Sequence, residues 1–286
     1  MAAQKLFSKA VITFIFLLLL LAILAFWSRP DGKLHLVFCD VGQGDAILVI
    51  TPQGDQVLID GGPNNKVLNC LGAKMPFWDR QIEMVILTHP QADHMVGLIE
   101  VLKRYQVEKI VANNVSNSTP EYYAWQERIK AERAEEIRVK RGELINFGQG
   151  LKAQIEWPID GSYPQGFPAE LNESSIVLRF EYADFCGLMT GDAPNAVLEV
   201  MSLLAVERSC TVLKVPHHGS KNSLYGQFWD QVKPQIAVVS SGENNRYGHP
   251  HLEVLEKLAE LNAKVLRTDQ LGMIEIVSDG EKVQLR

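Results

Sequence analysis

The placement of histidines and aspartates constrains this chain more than any other feature. Short apolar runs end repeatedly in small polar clusters. Asp60-Gly61-Gly62 follows Gln56–Ile59, and His89-Pro90-Gln91-Ala92-Asp93-His94 follows Glu83–Leu87. Gly191-Asp192 closes the run that starts at Phe185, His217-His218-Gly219 follows Thr211–Val215, and His249-Pro250-His251 makes a fifth cluster. Six of the seven histidines, all but His35, fall in these segments. Apolar runs of this length with glycine or proline at their ends read as strands. The fold must therefore bring several strand ends to one place.

Leu34–Cys39, Ala46–Thr51 and Gln56–Ile59, with turn residues at Pro52–Gly54 and Gly61–Pro63, predict an antiparallel meander. Next come a strand at Glu83–Leu87, a helix at His94–Tyr105 and a strand at Val107–Val111. A charged helix over 120–136 and strands at Leu151–Trp157 and Ser175–Phe180, around a Pro/Gly loop at 158–170, complete the first half. The second half has strands at Phe185–Thr190, Thr211–Val215, Gln235–Val239, Lys264–Arg267 and Met273–Val277. Its helices are Pro194–Leu204 and His251–Leu261. Strands and then helices, twice over, predict an α+β sandwich of two sheets inside helical layers. No composition break divides 34–286, so it is expected to form one domain.

Residues 10–27 carry no charge and follow Lys5 and Lys9. Eighteen helical residues span roughly 27 Å, enough for a bilayer core. Ile23 is bulky for a cleavage site after Ala25, so 1–27 reads first as a single-pass anchor, with a cleaved signal peptide and a secreted or periplasmic body as the alternative. Residues 28–33 then form a linker. The lysines ahead of the span put the N-terminus in the cytoplasm and the body outside. The whole chain carries −6 at neutral pH, and the body alone is two units more acidic. That excludes a protein coated in basic surface for unspecific nucleic-acid binding. Cys39, Cys70, Cys186 and Cys210 share no short spacing, which predicts buried free thiols rather than a zinc knuckle or a disulfide framework.

Imidazoles and carboxylates gathered at strand ends suit a transition-type divalent metal such as Zn²⁺ or Mn²⁺. His89, Asp93 and His94 can turn into one cleft, and Asp192 can complete the set. A divalent ion there would acidify water near neutral pH. No small organic cofactor is expected, since no Gly-rich phosphate loop is present.

The segments DVGQGD (Asp40–Asp45), LIDGG (Leu58–Gly62), LTHPQADHMVGL (Leu87–Leu98), LNESSIVL (Leu171–Leu178), MTGDAP (Met189–Pro194), LKVPHHGSKNS (Leu213–Ser223), YGHP (Tyr247–Pro250) and RTDQLGMI (Arg267–Ile274) follow one another in a known order. With them the chain resembles the metallo-β-lactamase superfamily, and within it the exported hydrolase-like domain of ComEC-type competence DNA-uptake proteins. The resemblance implies a four-layer αβ/βα sandwich with the site at the strand ends between the sheets. It implies that His89 serves a first metal site. Asp93, His94 and one of His217 and His218 serve a second, and Asp192 bridges the two. Asp60 is implied to hold the histidine loop from behind; the residues of Asp40–Asp45 themselves read either as a tight strand-to-strand turn or as a loop whose Gln43 and Asp45 line the cleft. His249 is implied to contact a phosphate or donate a proton. Asp93 and His249 are thus the expected catalytic groups.

Two positions depart from the superfamily pattern H-x-H-x-D-H. Gln91 stands where its second histidine belongs, and Asn172 stands near the place of a third-motif histidine. Both weaken the first site, so one well-held ion is expected rather than two. The resemblance then implies an exported, membrane-anchored metallohydrolase, a phosphodiesterase or nuclease acting on DNA beside DNA-uptake partner proteins. The alternatives are a catalytically degenerate module for binding or assembly, which Gln91 would favour, and a hydrolase of another ester.

Overall fold

The computed structural model describes Lys9, residues 11–19, Leu24 and residues 29–160, 170–204 and 209–286. Two compact units are distinguished, 1–31 and 32–286. In the first, residues 11–19 are helical. Among the described residues no helix is long and apolar enough to cross a membrane. The expected span over 10–27 lies in part outside the described residues, as does most of the expected loop at 158–170.

The second unit holds two sheets. One has eight strands in the order β15-β14-β1-β2-β3-β4-β5-β6. These are β1 (Leu34–Phe38), β2 (Ile47–Ile50), β3 (Gln56–Ile59), β4 (Gln81–Leu87), β5 (Gln106–Ala112), β6 (Glu135–Arg138), β14 (Ile274–Ser278) and β15 (Val283–Leu285). The other has seven strands in the order β13-β12-β11-β10-β9-β8-β7. These are β7 (Leu144–Asn146), β8 (Leu151–Trp157), β9 (Val177–Tyr182), β10 (Phe185–Met189), β11 (Val212–Lys214), β12 (Ile236–Val239) and β13 (Lys264–Arg267). The meander is present: β1, β2 and β3 pair antiparallel.

Strand alternation builds the layers. Leu36, Phe38, Ile47, Val49, Val57 and Ile59 point between the sheets, where they meet Ile155, Leu178 and Phe180 of the second sheet. Their neighbours Val37, Leu48 and Leu58 point the other way, against the helices Val67–Lys74, Ala92–Val101 and Pro120–Glu132. Helices Asn195–Leu204, Gly226–Val232 and Leu252–Glu260 cover the outer face of the second sheet in the same manner. The result is helix, sheet, sheet, helix. Central strands such as β3 and the end of β4 are buried on both faces, which is why they read as unbroken apolar runs.

Three expectations need correction. The helix over 120–136 stops at Glu132, because Arg133 takes a left-handed conformation (φ 59°), and Glu135–Arg138 pairs as edge strand β6 beside β5. Its charges give it a helical composition, but pairing with β5 and contact of Ile137 with the core decide its conformation. The helix expected from His94 begins at Ala92, so it already includes Asp93. The cysteines are not free thiols: Cys39 bonds Cys70, and Cys186 bonds Cys210. Those pairs lie 31 and 24 residues apart in sequence, a spacing without a local signature.

Candidate metal centre

Parallel pairing makes one edge of the sandwich chemically rich. β3 and β4 run parallel in the first sheet, and β10, β11 and β12 run parallel in the second. The residues that follow their C-terminal ends converge, as ligand-binding residues do at the carboxyl ends of parallel strands. Two glycines permit the close approach. A Cβ on Gly97 would fall 1.8 Å from the Gly61 carbonyl oxygen, so the helix Ala92–Val101 lies directly on the Asp60–Gly62 turn. Gly44, at φ 144°, lets its loop run against the backbone of Asp93, whose carbonyl accepts from the Asp45 N–H at 3.2 Å.

Asp93, His94, Asp192 and His218 each direct one ligand atom into a common space, with these atoms within 4.8 Å of one another. Asp192 Oδ2 lies 3.3 Å from Nε2 of His94 and 3.3 Å from Nε2 of His218. Asp93 Oδ2 lies 3.5 Å from His218 Nε2. The far side of each imidazole is held. His94 Nδ1 donates to Asp60 Oδ2 at 2.8 Å, and His218 Nδ1 donates to the Ser240 carbonyl at 2.9 Å. Asp60 is itself fixed by the N–H (2.8 Å) and hydroxyl (2.7 Å) of Thr88. Both rings thus turn Nε2 toward the common space, the orientation that metal-bound histidines require. Nε2 of His94 and of His218 and both carboxylate oxygens of Asp192 are buried and have no hydrogen-bond partner. Buried polar atoms left this way are costly unless something charged joins them. The donor set, two imidazoles and two carboxylates, fits a divalent cation.

Electrostatics agree. Burial opposes protonation of His94, but the carboxylates of Asp192, Asp60 and Asp93 outweigh it and raise its pKa well above the usual histidine value. His218 is raised in the same way by Asp192 and Asp45 against its burial. Protons on these rings balance the carboxylates, and a cation that takes their place must displace them.

His89 differs. It is fully buried, its Nδ1 lies near the hydroxyls of Thr88 (3.1 Å) and Ser175 (3.4 Å), and its Nε2 has no partner. Burial, with help from the neighbouring His94, pushes it down to about 3, so it is neutral near pH 7. The two positions expected to weaken a first site carry amides. Gln91 caps the helix Ala92–Val101 with its backbone, and its side chain makes no hydrogen bond to a described residue. Asn172 donates to His217 Nε2 at 3.4 Å and keeps its own Oδ1 unpartnered.

Consecutive left-handed residues send the two adjacent histidines in different directions: φ is 50° at His217 and 55° at His218. His218 enters the cluster with Asp93 and His94, whereas His217 stays with Asn172, 3.8 Å from Asp192 Oδ2. His249 is buried beside the cluster, its ring 5.7 Å from that of His217 and 6.3 Å from that of His218. Gln43 accepts from the Gly242 N–H at 3.2 Å, which turns its amide NH₂ toward His249 Nδ1 at 3.4 Å. The acceptor role of Nδ1 leaves the ring proton on Nε2. Burial and the nearby His218 and His217 lower His249 to about 4, so near neutral pH it is a neutral N–H donor rather than an acid carrying a spare proton.

Lys214 is the residue that reading the clusters alone does not find. Its Nζ pairs with Asp45 Oδ2, donates to the Gly191 carbonyl at 2.8 Å and lies 3.5 Å from Asp192 Oδ1. It is fully buried. Burial disfavours its charge, but Asp45 and Asp192 outweigh that and raise its pKa. Lys214 therefore occupies the back of the cluster as a fixed cation and leaves Asp192 Oδ2 for the front. A lysine closing the apolar strand Val212–Lys214 was the available signal, since such a lysine needs buried carboxylates.

Comparison with known proteins agrees with this architecture. The chain is 34% identical over 263 residues to ComE operon protein 3 of Bacillus subtilis, covering 86% of this chain and 33% of that protein. It is 28% identical over 261 residues to Recombination protein 2 of Haemophilus influenzae, covering 87% of this chain and 29% of the relative. The chain thus spans about a third of the length of the curated relatives it matches. The solved structure of Tm1679, a metal-dependent hydrolase of the β-lactamase superfamily, superposes with a TM-score of 0.55 at 15% identity, covering 82% of this chain and 95% of Tm1679. Residues 39–242 match the family described as the Metallo-beta-lactamase superfamily. The relatives it is similar to include Competence protein ComA of Neisseria gonorrhoeae, and the chain itself belongs to the metallo-β-lactamase superfamily.

Proposed function

We propose that this chain is an exported, metal-dependent phosphodiesterase acting on DNA during its uptake, working beside the proteins that carry the strand. The unpartnered, convergent atoms of Asp93, His94, Asp192 and His218 carry the reading. The recombination and competence names of two relatives direct the reading to DNA.

A divalent cation such as Zn²⁺ or Mn²⁺ would be held by those four residues, one ion per chain, and would supply activation of water and neutralisation of phosphoryl charge. The protein's own groups do the rest. Asp93, the most exposed of the four, faces the cleft and orients the water that adds to phosphorus. His249 offers its Nε2 proton as a hydrogen bond to a phosphoryl or leaving oxygen. Asp60 and Lys214 keep His94 and Asp192 in place. Water adds across one P–O bond, giving a phosphomonoester on one fragment and a hydroxyl on the other.

Two disulfides support placement of the body outside the cytoplasm, because such bonds persist in oxidising compartments. The uncharged run over 10–27 serves in this reading as the single-pass anchor, with the N-terminus cytoplasmic.

The test uses the full chain in detergent, stripped of metal and then given Mn²⁺ or Zn²⁺, with single-stranded DNA, duplex DNA and a small phosphodiester as substrates. Metal-dependent cleavage that disappears in Asp192→Ala is expected. Cleavage that survives in metal-free Asp192→Ala sinks the mechanism. Bound metal without turnover of any of the three substrates would instead favour a binding or assembly module, the reading that Gln91, standing in place of a motif histidine, supports.

A further inference from the structure

A groove of about 500 Å³ opens beside Asp93, between the loop carrying Gln43, the turn before the helix Val67–Lys74, and residues 245–247. Two cations, Lys66 and Arg246, stand exposed along it. Neither forms an ion pair with a carboxylate among the described residues. The Lys66 ammonium reaches across toward Gly42, 3.9 Å from where a Cβ would lie. Arg246 donates to the hydroxyl of Tyr247 at 2.7 Å, and its guanidinium lies 4.9 Å over that ring. Tyr247 is 50% exposed and stacks on His249, with ring centroids 5.6 Å apart. From the metal cluster outward, the rings of His218, His249 and Tyr247 and the guanidinium of Arg246 therefore form one continuous ladder.

The phosphodiesterase reading does not use this ladder beyond His249. Unopposed cations on an acidic chain mark a place for an anion. An exposed ring with a planar guanidinium upon it adds a surface for a flat, polarisable group. Alternating phosphate and base is the chemistry that satisfies both. A duplex hides its base faces in its own stack, so only an unpaired strand can use Tyr247 and Arg246 this way.

We propose that Lys66, Arg246 and Tyr247 seat a single-stranded nucleic acid next to the phosphodiester at the metal cluster, the cations taking phosphates and the Tyr247–Arg246 surface taking a base. This rests on the phosphodiesterase reading for its location but concerns binding, which can be measured without turnover.

The experiment titrates the full chain in detergent, with chelator present, into fluorescein-labelled oligo-dT, an abasic strand of equal length and a duplex, over a range of NaCl. Tighter binding of oligo-dT than of the duplex or the abasic strand is expected. In Lys66→Ala/Arg246→Ala the slope of log K against log salt should flatten by about 1.4, two phosphate contacts at roughly 0.7 each. Tyr247→Ala should weaken oligo-dT roughly tenfold and leave that slope unchanged, and Tyr247→Phe should keep most of the affinity. The proposal is overturned by an unchanged slope in the double variant, by a duplex bound as tightly as the single strand, or by no strand binding. Metal-dependent cleavage of DNA together with any of those results would leave the phosphodiesterase reading standing without this subsite. The expected binding without cleavage would do the reverse.

Discussion

The two halves of the histidine-aspartate cluster have been built to different standards. On one side, Asp93, His94, Asp192 and His218 converge, and both imidazoles are braced from behind, by Asp60 and by the Ser240 carbonyl. On the other, His89 is buried with only the hydroxyls of Thr88 and Ser175 near its Nδ1, while amides stand at 91 and 172, where Asn172 leans on His217. The charge state follows the same division. Carboxylates hold His94 and His218 protonated in the absence of a cation, whereas His89 is lowered to about 3 and stays neutral. A full donor set with rigid support binds an ion; His89 and His217, with amides at 91 and 172 and no carboxylate among the described residues bracing either ring, do not hold a second with comparable strength.

Lys214 gives the comparison its largest test. Lys214→Met would strand Asp45 and Asp192 as buried, uncompensated carboxylates, and breaking a buried pair in this way costs about 3–5 kcal/mol. Urea unfolding of the full chain should show a loss of that order, and Lys214→Met/Asp45→Leu should recover part of it. An unchanged midpoint in the single variant would mean that Lys214 is not the cation that keeps the cluster in order. Asp60→Asn tests the bracing of His94. Metal affinity should fall roughly 10–100-fold, because the amide no longer fixes the ring's tautomer. Isothermal titration with Mn²⁺ measures this, and undiminished affinity would remove Asp60 from the support. Gln91→His sharpens the contrast from the weak side. An added imidazole beside His89 should raise bound metal from about one ion per chain toward two. If metal content stays the same, the depleted half is empty for a reason other than the residue at 91.

The sequence made the strand ends legible because each polar cluster follows an apolar run buried on both faces, as in β3 and β4. Runs of that kind need no knowledge of partners to be read. Edge elements are different. Glu135–Arg138, Leu144–Asn146 and Val283–Leu285 carry mixed patterns, and only pairing with β5, β8 and β14 makes strands of them. Long-range consequences were also invisible locally. Nothing near Cys39 indicates Cys70, and nothing in the sequence His217-His218 indicates which ring turns inward, since two left-handed residues in succession decide it. Lys214 falls between these cases: a charge inside an apolar strand is visible, but its partners Asp45 and Asp192 come from two different sheets' loops.

Metal content of the purified full chain, with His218→Ala and His89→Ala as the two variants, tests the central claim most directly. Mass spectrometry of protein prepared without chelator should find about one divalent ion per chain. That ion should be lost in His218→Ala and retained in His89→Ala. Two ions of equal strength in the natural protein, or equal loss in both variants, would contradict the division of the cluster into one holding half and one depleted half.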